Sequence, residues 1–230
     1  MASSTLLLCA LALLAISLAW RLASTRQSLP CPVWLRWLVE LDNPFTRTNR
    51  AAFIVEQLGV VPGMNVLDAG CGPGRLAIPL ARAVGPAGSV LAVDIQQGML
   101  ERTRTKASDE QLENITCLHA GLGEDRLPRQ AFDRAVLVTV LGEIPEQGKA
   151  LAEIHQALRP GGVLSITEVI FDPHFQSRSR VRRLANDAGF REKAAFGNRI
   201  AYVLHFERPC SPETDSSSCV AEAAGKRDNW

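Results

Sequence analysis

The sequence predicts an α/β domain, a doubly wound and mostly parallel sheet covered by helices, preceded by a transmembrane helix. Three observations predict it. Short apolar runs alternate with helical stretches from Asn43 onward, the pattern of parallel strands joined by crossover helices. A glycine-rich turn, Asp68-Ala69-Gly70-Cys71-Gly72-Pro73-Gly74, falls where the first of those runs gives way to a helix. An uncharged apolar run, Leu6 to Trp20, stands at the N-terminus.

That run, with Thr5 and the serines before it, reaches the lower limit for crossing a bilayer, about 17 residues. Ser17-Leu18-Ala19 offers a small-residue cleavage site, but a secretory signal would carry basic residues ahead of its apolar stretch. Here Arg21 and Arg26 follow instead. The expectation is an uncleaved anchor over residues 1–22, single-pass, with the main domain in the cytoplasm. A linker and short amphipathic helix occupy 23–42, with Trp34, Trp37, Leu38 and Leu41 on one face. That face suits either a membrane interface or a lid over the domain.

The globular region covers 43–207. Thr48 to Leu58 reads as a helix ended by Gly59, and Asn65 to Ala69 as the first strand. A helix from Gly74 to Val84 tolerates Pro79 near its start. Ser89 to Val93 is the second strand, Gln97 to Lys106 a helix, Ile115 to Ala120 the third strand and Arg134 to Val140 the fourth. A helix from Gln147 to Leu158 leads through the turn Arg159-Pro160-Gly161-Gly162 into the fifth strand, Val163 to Glu168. Val181 to Ala188 is a helix, and Glu192 to Phe196 and Ile200 to Phe206 are the last strands. Residues 208–230 are rich in Ser, Glu and Asp and read as a disordered tail.

Twenty-five basic against twenty-four acidic residues give a formal charge of +1, without the basic excess of a nucleic-acid binder. The six cysteines form no CxxC pair and no zinc-spaced cluster, so no metal is expected; they read as reduced thiols, Cys71 and Cys117 within core elements.

Glycines at alternate positions of the turn let backbone approach a ligand that a Cβ would obstruct. A second acid, Asp94, ends the next strand 26 residues after Asp68, the placement that grips a ribose diol. A dinucleotide site would need glycine at position 75, where this chain has arginine. Asp68 would also repel a pyrophosphate, whereas it suits a cationic ligand.

Val66 to Gly74, Val93-Asp94, Phe132-Asp133 and Leu158 to Gly162 together resemble the class I methyltransferases dependent on S-adenosylmethionine (SAM). More narrowly, they resemble the small bacterial branch that includes ubiquinone and menaquinone C-methyltransferases. The resemblance implies a Rossmann-like sheet of seven strands with a final antiparallel strand inserted beside the fifth. It implies SAM as cofactor, with Asp68, Gly70, Gly72 and Gly74 at its methionine half. Asp94 would hold the ribose and Ile95 would lie against the adenine, with Met99 either on that ring's other side or a core filler of its helix. The acid that the family often carries after the third strand is absent or displaced to Glu124, which leaves adenine recognition to the backbone of Gly121 and Leu122. Thr139 to Leu141 would lie beside the sulfonium.

Methyl transfer from a sulfonium needs mainly positioning, and a base only where the acceptor loses a proton. Glu143 and His174 are the candidate catalytic groups, on the loops after strands four and five. Glu143 alternatively caps the following helix, and His174 alternatively faces solvent or is structural. Glu168 and Asp172 share the rim with His174. His119 and His205 fall within strands, as core or sheet-face residues. Arg178, Arg180, Arg182 and Arg183 would meet anionic headgroups or form a solvated helix face. The expected activity is methyl transfer to a small-molecule or lipid-like acceptor at the cytoplasmic membrane face, with the membrane held through the N-terminal helix and no nucleic acid as partner. The rival readings are a SAM-binding scaffold without activity and a dinucleotide-dependent oxidoreductase.

Overall fold

A computed structural model describes residues 46–210; the expected anchor, amphipathic helix and most of the expected tail lie outside them. Among the described residues, no helix is long and apolar enough to cross a membrane.

Seven strands form one sheet: β1 (Asn65–Ala69), β2 (Ser89–Asp94), β3 (Ile115–His119), β4 (Phe132–Val138), β5 (Leu158–Val169), β6 (Arg191–Gly197) and β7 (Ala201–Glu207). Their spatial order is 3-2-1-4-5-7-6. The first five pair in parallel, and β7 inserts antiparallel between β5 and β6, as the resemblance implies. Helices cover both faces. α1 (Ala51–Leu58), α2 (Ala77–Val84) and α3 (Gln97–Asp109) bury Ile54, Leu58, Leu80 and Leu100 against Val66, Val90 and Val136. α4 (Gln147–Ala157) and α5 (Arg178–Asp187) bury Leu151, Ile154, Val181 and Ala185 against Leu67, Leu137, Ile166 and Leu204. Buried on both faces, the central strands read as continuous apolar runs rather than alternating ones.

Several boundaries differ from expectation, each for a local reason. The stretch from Gly72 to Leu76 is a turn, so α2 begins at Ala77 and Pro79 is its third residue, where its missing N–H costs nothing. β4 stops at Val138 because Thr139 takes a left-handed φ of 54°. The expected turn Arg159 to Gly162 lies inside β5. It is drawn into the sheet by the residue that follows β7: Gly161 N–H donates to the Arg208 carbonyl at 2.8 Å, and Arg208 N–H to the Gly162 carbonyl at 2.9 Å. Arg208 also donates from its guanidinium to the carbonyls of His155, Gln156 and Leu158, so the domain includes this residue, which the sequence reading assigned to the tail. α5 begins at Arg178, three residues early, because Ser177 caps it by accepting from the Arg180 N–H. Cys71 and Cys117 are free thiols as expected, but Cys210 is disulfide-bonded, which corrects the expectation of a reduced thiol there.

Candidate cofactor and acceptor site

The site is built along the C-terminal ends of the parallel strands, where open α/β sheets bind ligands. The glycine loop leaves β1 and is tied to β2. Gly70 and Cys71 N–H both donate to the Val93 carbonyl (2.8 and 2.9 Å), Gly72 N–H to Asp94 Oδ2 (2.9 Å) and Gly74 N–H to the Cys71 carbonyl (3.1 Å). The glycine N–H groups are thus spent within the protein, and what the glycines contribute is room. A Cβ on Gly70 would stand 2.5 Å from Val140 Cγ2, and one on Gly74 would stand 2.9 Å from Thr103 Oγ1. Around Gly72 the space is open.

Asp68 and Asp94 face this loop. Asp68 is 3% exposed. Burial pushes its carboxyl up to about 7; Arg75 and the Ala77 N–H oppose the rise and Asp94 adds to it. Its Oδ2 is buried without a hydrogen-bond partner, which a buried polar atom tolerates only at a cost. Asp94 is raised by burial and held down by the N–H groups of Gln96, Gly72 and Ile95 and by His119. Arg75, which displaces the dinucleotide pattern, donates to the Asn49 carbonyl at 2.7 Å and so ties the loop to the chain before α1.

Beyond Asp94, Ile95 is 59% exposed, and His119 Nε2 lies 2.8 Å from its carbonyl. His119 is exposed on edge strand β3. Met99 is buried in α3. Gly121 and Leu122 follow β3, with the Glu124 carboxyl folded over the space where a Gly121 Cβ would sit. Their loop is organised by a residue that sequence reasoning missed. Glu153 of α4, 5% exposed, accepts from the N–H groups of Gly123, Arg126 and Leu127. Its signal was a carboxylate on the helix face otherwise formed by Ala150, Ile154 and Ala157.

Thr139 follows β4 directly, its N–H donating to the Thr167 carbonyl at 2.9 Å, and Leu141 is fully buried. A 3-10 turn, Leu141–Glu143, follows. α4 starts only at Gln147, with Glu146 at its N-cap, so Glu143 does not cap it. The loop after β5 packs against this turn: a Cβ on Gly142 would collide with the His174 carbonyl and stand 2.8 Å from Gln176 Nε2. Between the two loops opens a cleft of about 540 Å³, lined by Gly142, Ile144 and Gln147 on one side and His174, Gln176 and Arg180 on the other. His174 is 6% exposed, and its backbone N–H donates to Asp172 Oδ1; it is a buried wall residue rather than a solvent-facing one. Glu168, also buried, is pushed up to about 8 by burial, with the Gln176 N–H opposing and Asp172 and Glu143 adding to the rise.

The arginines after β5 mostly have partners within the domain. Arg178 donates to the Phe196 and Asn198 carbonyls, Arg180 to Gln147 Oε1, and Arg182 to both Glu192 oxygens. His205 is buried in β7, and burial with nearby Arg134 and Lys193 lowers it to about 4.

Residues 66–162 match the family model of a methyltransferase domain. The fold is that of a SAM-dependent methyltransferase from Aquifex aeolicus (TM-score 0.68, 22% identity, 77% of this chain and 98% of that one). This stretch is thus similar to a methyltransferase domain, and the residues around the loop fit SAM as cofactor: an orphaned Asp68 oxygen, no room for a Cβ at Gly70 or Gly74, a ribose-spaced Asp94 and an exposed Ile95. More particularly, 106 residues are 33% identical to a demethylmenaquinone methyltransferase of Listeria monocytogenes, 46% of this chain and 45% of that relative. The chain therefore matches less than half of the curated relative. The same fold also occurs in the cyclase SpnF (TM-score 0.63, 17% identity, 70% of this chain and 80% of that one), so fold alone does not set the reaction.

Proposed function

We propose that this chain transfers the methyl group of SAM to a small-molecule acceptor held in the cleft between the loops after β4 and β5. The observation that carries this reading is the buried, unpartnered Asp68 oxygen beside an open glycine loop, a complement to the cofactor's ammonium group. In this reading Asp68 binds the ammonium, while Gly70, Gly72 and Gly74 make room for the methionine half. Asp94 accepts from the ribose hydroxyls, its carboxylate oriented by the Gly72 and Gln96 N–H groups. Ile95 covers one adenine face and Met99 supports the other side, with Gly121 and Leu122 at the ring edge. Thr139 borders the reacting centre.

When bound, SAM supplies an electrophilic methyl on a cationic sulfur. The chain's own contribution is orientation and exclusion of water. Glu143, between the lining residues Gly142 and Ile144, and His174 on the opposite wall are the groups that would take a proton from a protic acceptor. The match to a demethylmenaquinone methyltransferase and the apolar run Leu6 to Trp20 support a lipid-like acceptor. That run, followed by Arg21 and Arg26, also supports an anchored enzyme whose domain faces the cytoplasm.

Calorimetric titration of the full chain with SAM, its demethylated product and NADH tests the cofactor; labelled-methyl transfer into membrane lipid extract tests the acceptor. SAM and product should bind, NADH should not, and Asp94→Ala should weaken SAM by tenfold or more. Binding without transfer to any extract would favour a scaffold, and NADH binding would revive the oxidoreductase reading. Recovery of the full chain in the soluble fraction of cells would overturn the membrane half.

A further inference from the structure

Beside the cleft lies a carboxylate for which the reaction described so far has no use. Glu168, next to last in β5, is 1% exposed. Its Oε2 accepts from the Gln176 N–H at 3.0 Å, and its Oε1 is buried without a partner. Across the ladder from it stands Tyr202, itself fully buried, whose hydroxyl donates to the Gln176 carbonyl at 2.6 Å. The sheet therefore grips both backbone groups of one loop residue. Gln176 in turn donates from its side chain to the His174 carbonyl at 2.7 Å and lines the cleft. The neighbouring Phe175 ring packs edge-on against Tyr202, centroids 6.0 Å apart.

We propose that Glu168 is a positioning residue that, together with Tyr202, clamps Gln176 to the sheet and so sets the wall of the acceptor cleft from Pro173 to Ser177. The inference rests on reading this cleft as the acceptor site. An acid is a costly choice for a passive buried hydrogen-bond acceptor, because whenever it ionises it leaves a buried charge that an amide accepting the same bond would not. What the acid adds is sensitivity to its surroundings. Glu143 faces it from the turn after β4, Asp172 from its own loop and Tyr202 from β7, with Arg178 of α5 5.1 Å from the Tyr202 ring centre.

The sign follows from linkage. With the wall closed, Glu168 titrates at about 8; with the wall open and the carboxyl hydrated, it titrates in the ordinary carboxylate range. The proton thus favours the closed wall, and raising the pH through this window loosens it. Hydrogen exchange on the full chain, followed at 172–177 from pH 5.5 to 8.5 and corrected for intrinsic exchange, reads this directly. Wild-type protection should fall with pH, by up to about tenfold per unit, the limit for one proton. Glu168→Gln should keep the protection and lose the slope. Glu168→Leu and Tyr202→Phe should lose protection at every pH, while SAM affinity stays within about twofold of wild type. With a naphthohydroquinone as probe acceptor, Tyr202→Phe should raise KM more than it lowers kcat. A flat wild-type profile, or the same slope in Glu168→Gln, overturns the clamp. Should Glu168→Leu fail to fold, the Gln and Phe variants decide. If wild type fails to bind SAM, the proposed function falls, while the exchange result still stands or falls by itself.

Discussion

A single carboxyl group, Asp68, carries two opposing demands. It must be charged to meet a cation, yet its position on a buried strand raises its titration to about 7. The ionised form is the binding form, so SAM affinity should fall as pH drops below about 7, by up to tenfold per unit. Asp68→Asn should bind more weakly, by about tenfold or more at pH 8, and show no such pH dependence; calorimetry at pH 6 and 8 checks both. Thr139 shows a different tension. Its left-handed φ of 54° costs a β-branched residue about 1–2 kcal/mol. Thr139→Gly should therefore raise the denaturant midpoint, and a loss of methyl transfer alongside that gain would place the strain in the service of the site.

Elements, rather than single residues, decide which parts of this fold were legible in the sequence. The parallel strands were, because their burial on both faces leaves unbroken apolar runs such as Ala135 to Val138. The glycine loop and Asp94 were legible too, since their spacing is a local pattern. What escaped depends on partners distant in sequence. Nothing near Arg159 to Gly162 tells that Arg208, some fifty residues on, will pair with it. Glu153 and Glu168 look like ordinary acids until the loops that they hold are folded onto them. Two expectations test this element scale. Arg208→Ala removes a charged donor shared by three carbonyls at the end of α4 and should cost about 1.5–3 kcal/mol in chemical denaturation. Gly142→Ala drives a methyl group into the His174 carbonyl; it should part the two cleft loops and abolish transfer, with SAM binding largely kept.

At the scale of the whole molecule, the buried acids set how stability varies with pH. Asp68 and Glu168 both hold their protons longer folded than unfolded, so each contributes a stability that is lost as pH rises from about 4 towards 7 or 8. His205, lowered to about 4, acts in the opposite sense: it favours the fold above its unfolded value and withdraws that support as pH falls from about 6.5 towards 4. Glu168→Gln should thus gain melting temperature over wild type at pH 8.5, and the gain should shrink towards pH 5. A gain independent of pH would mean that the carboxyl titrates normally in the fold.

The placement of β7 has a consequence for how the protein is made. Of the described strands it is the last to leave the ribosome, yet it lies between two others, with β5 on one side and β6 on the other. Until residues 201–207 emerge, β5 has a bare edge and β6 has no neighbour in the sheet, so the growing chain exposes unpaired backbone that invites the wrong partner. The N-terminal strands can pair early, but the half of the sheet that frames the cleft must wait until β7 has emerged. A translation product stopped short of β7 would carry the cofactor loop without a finished place for anything to be methylated.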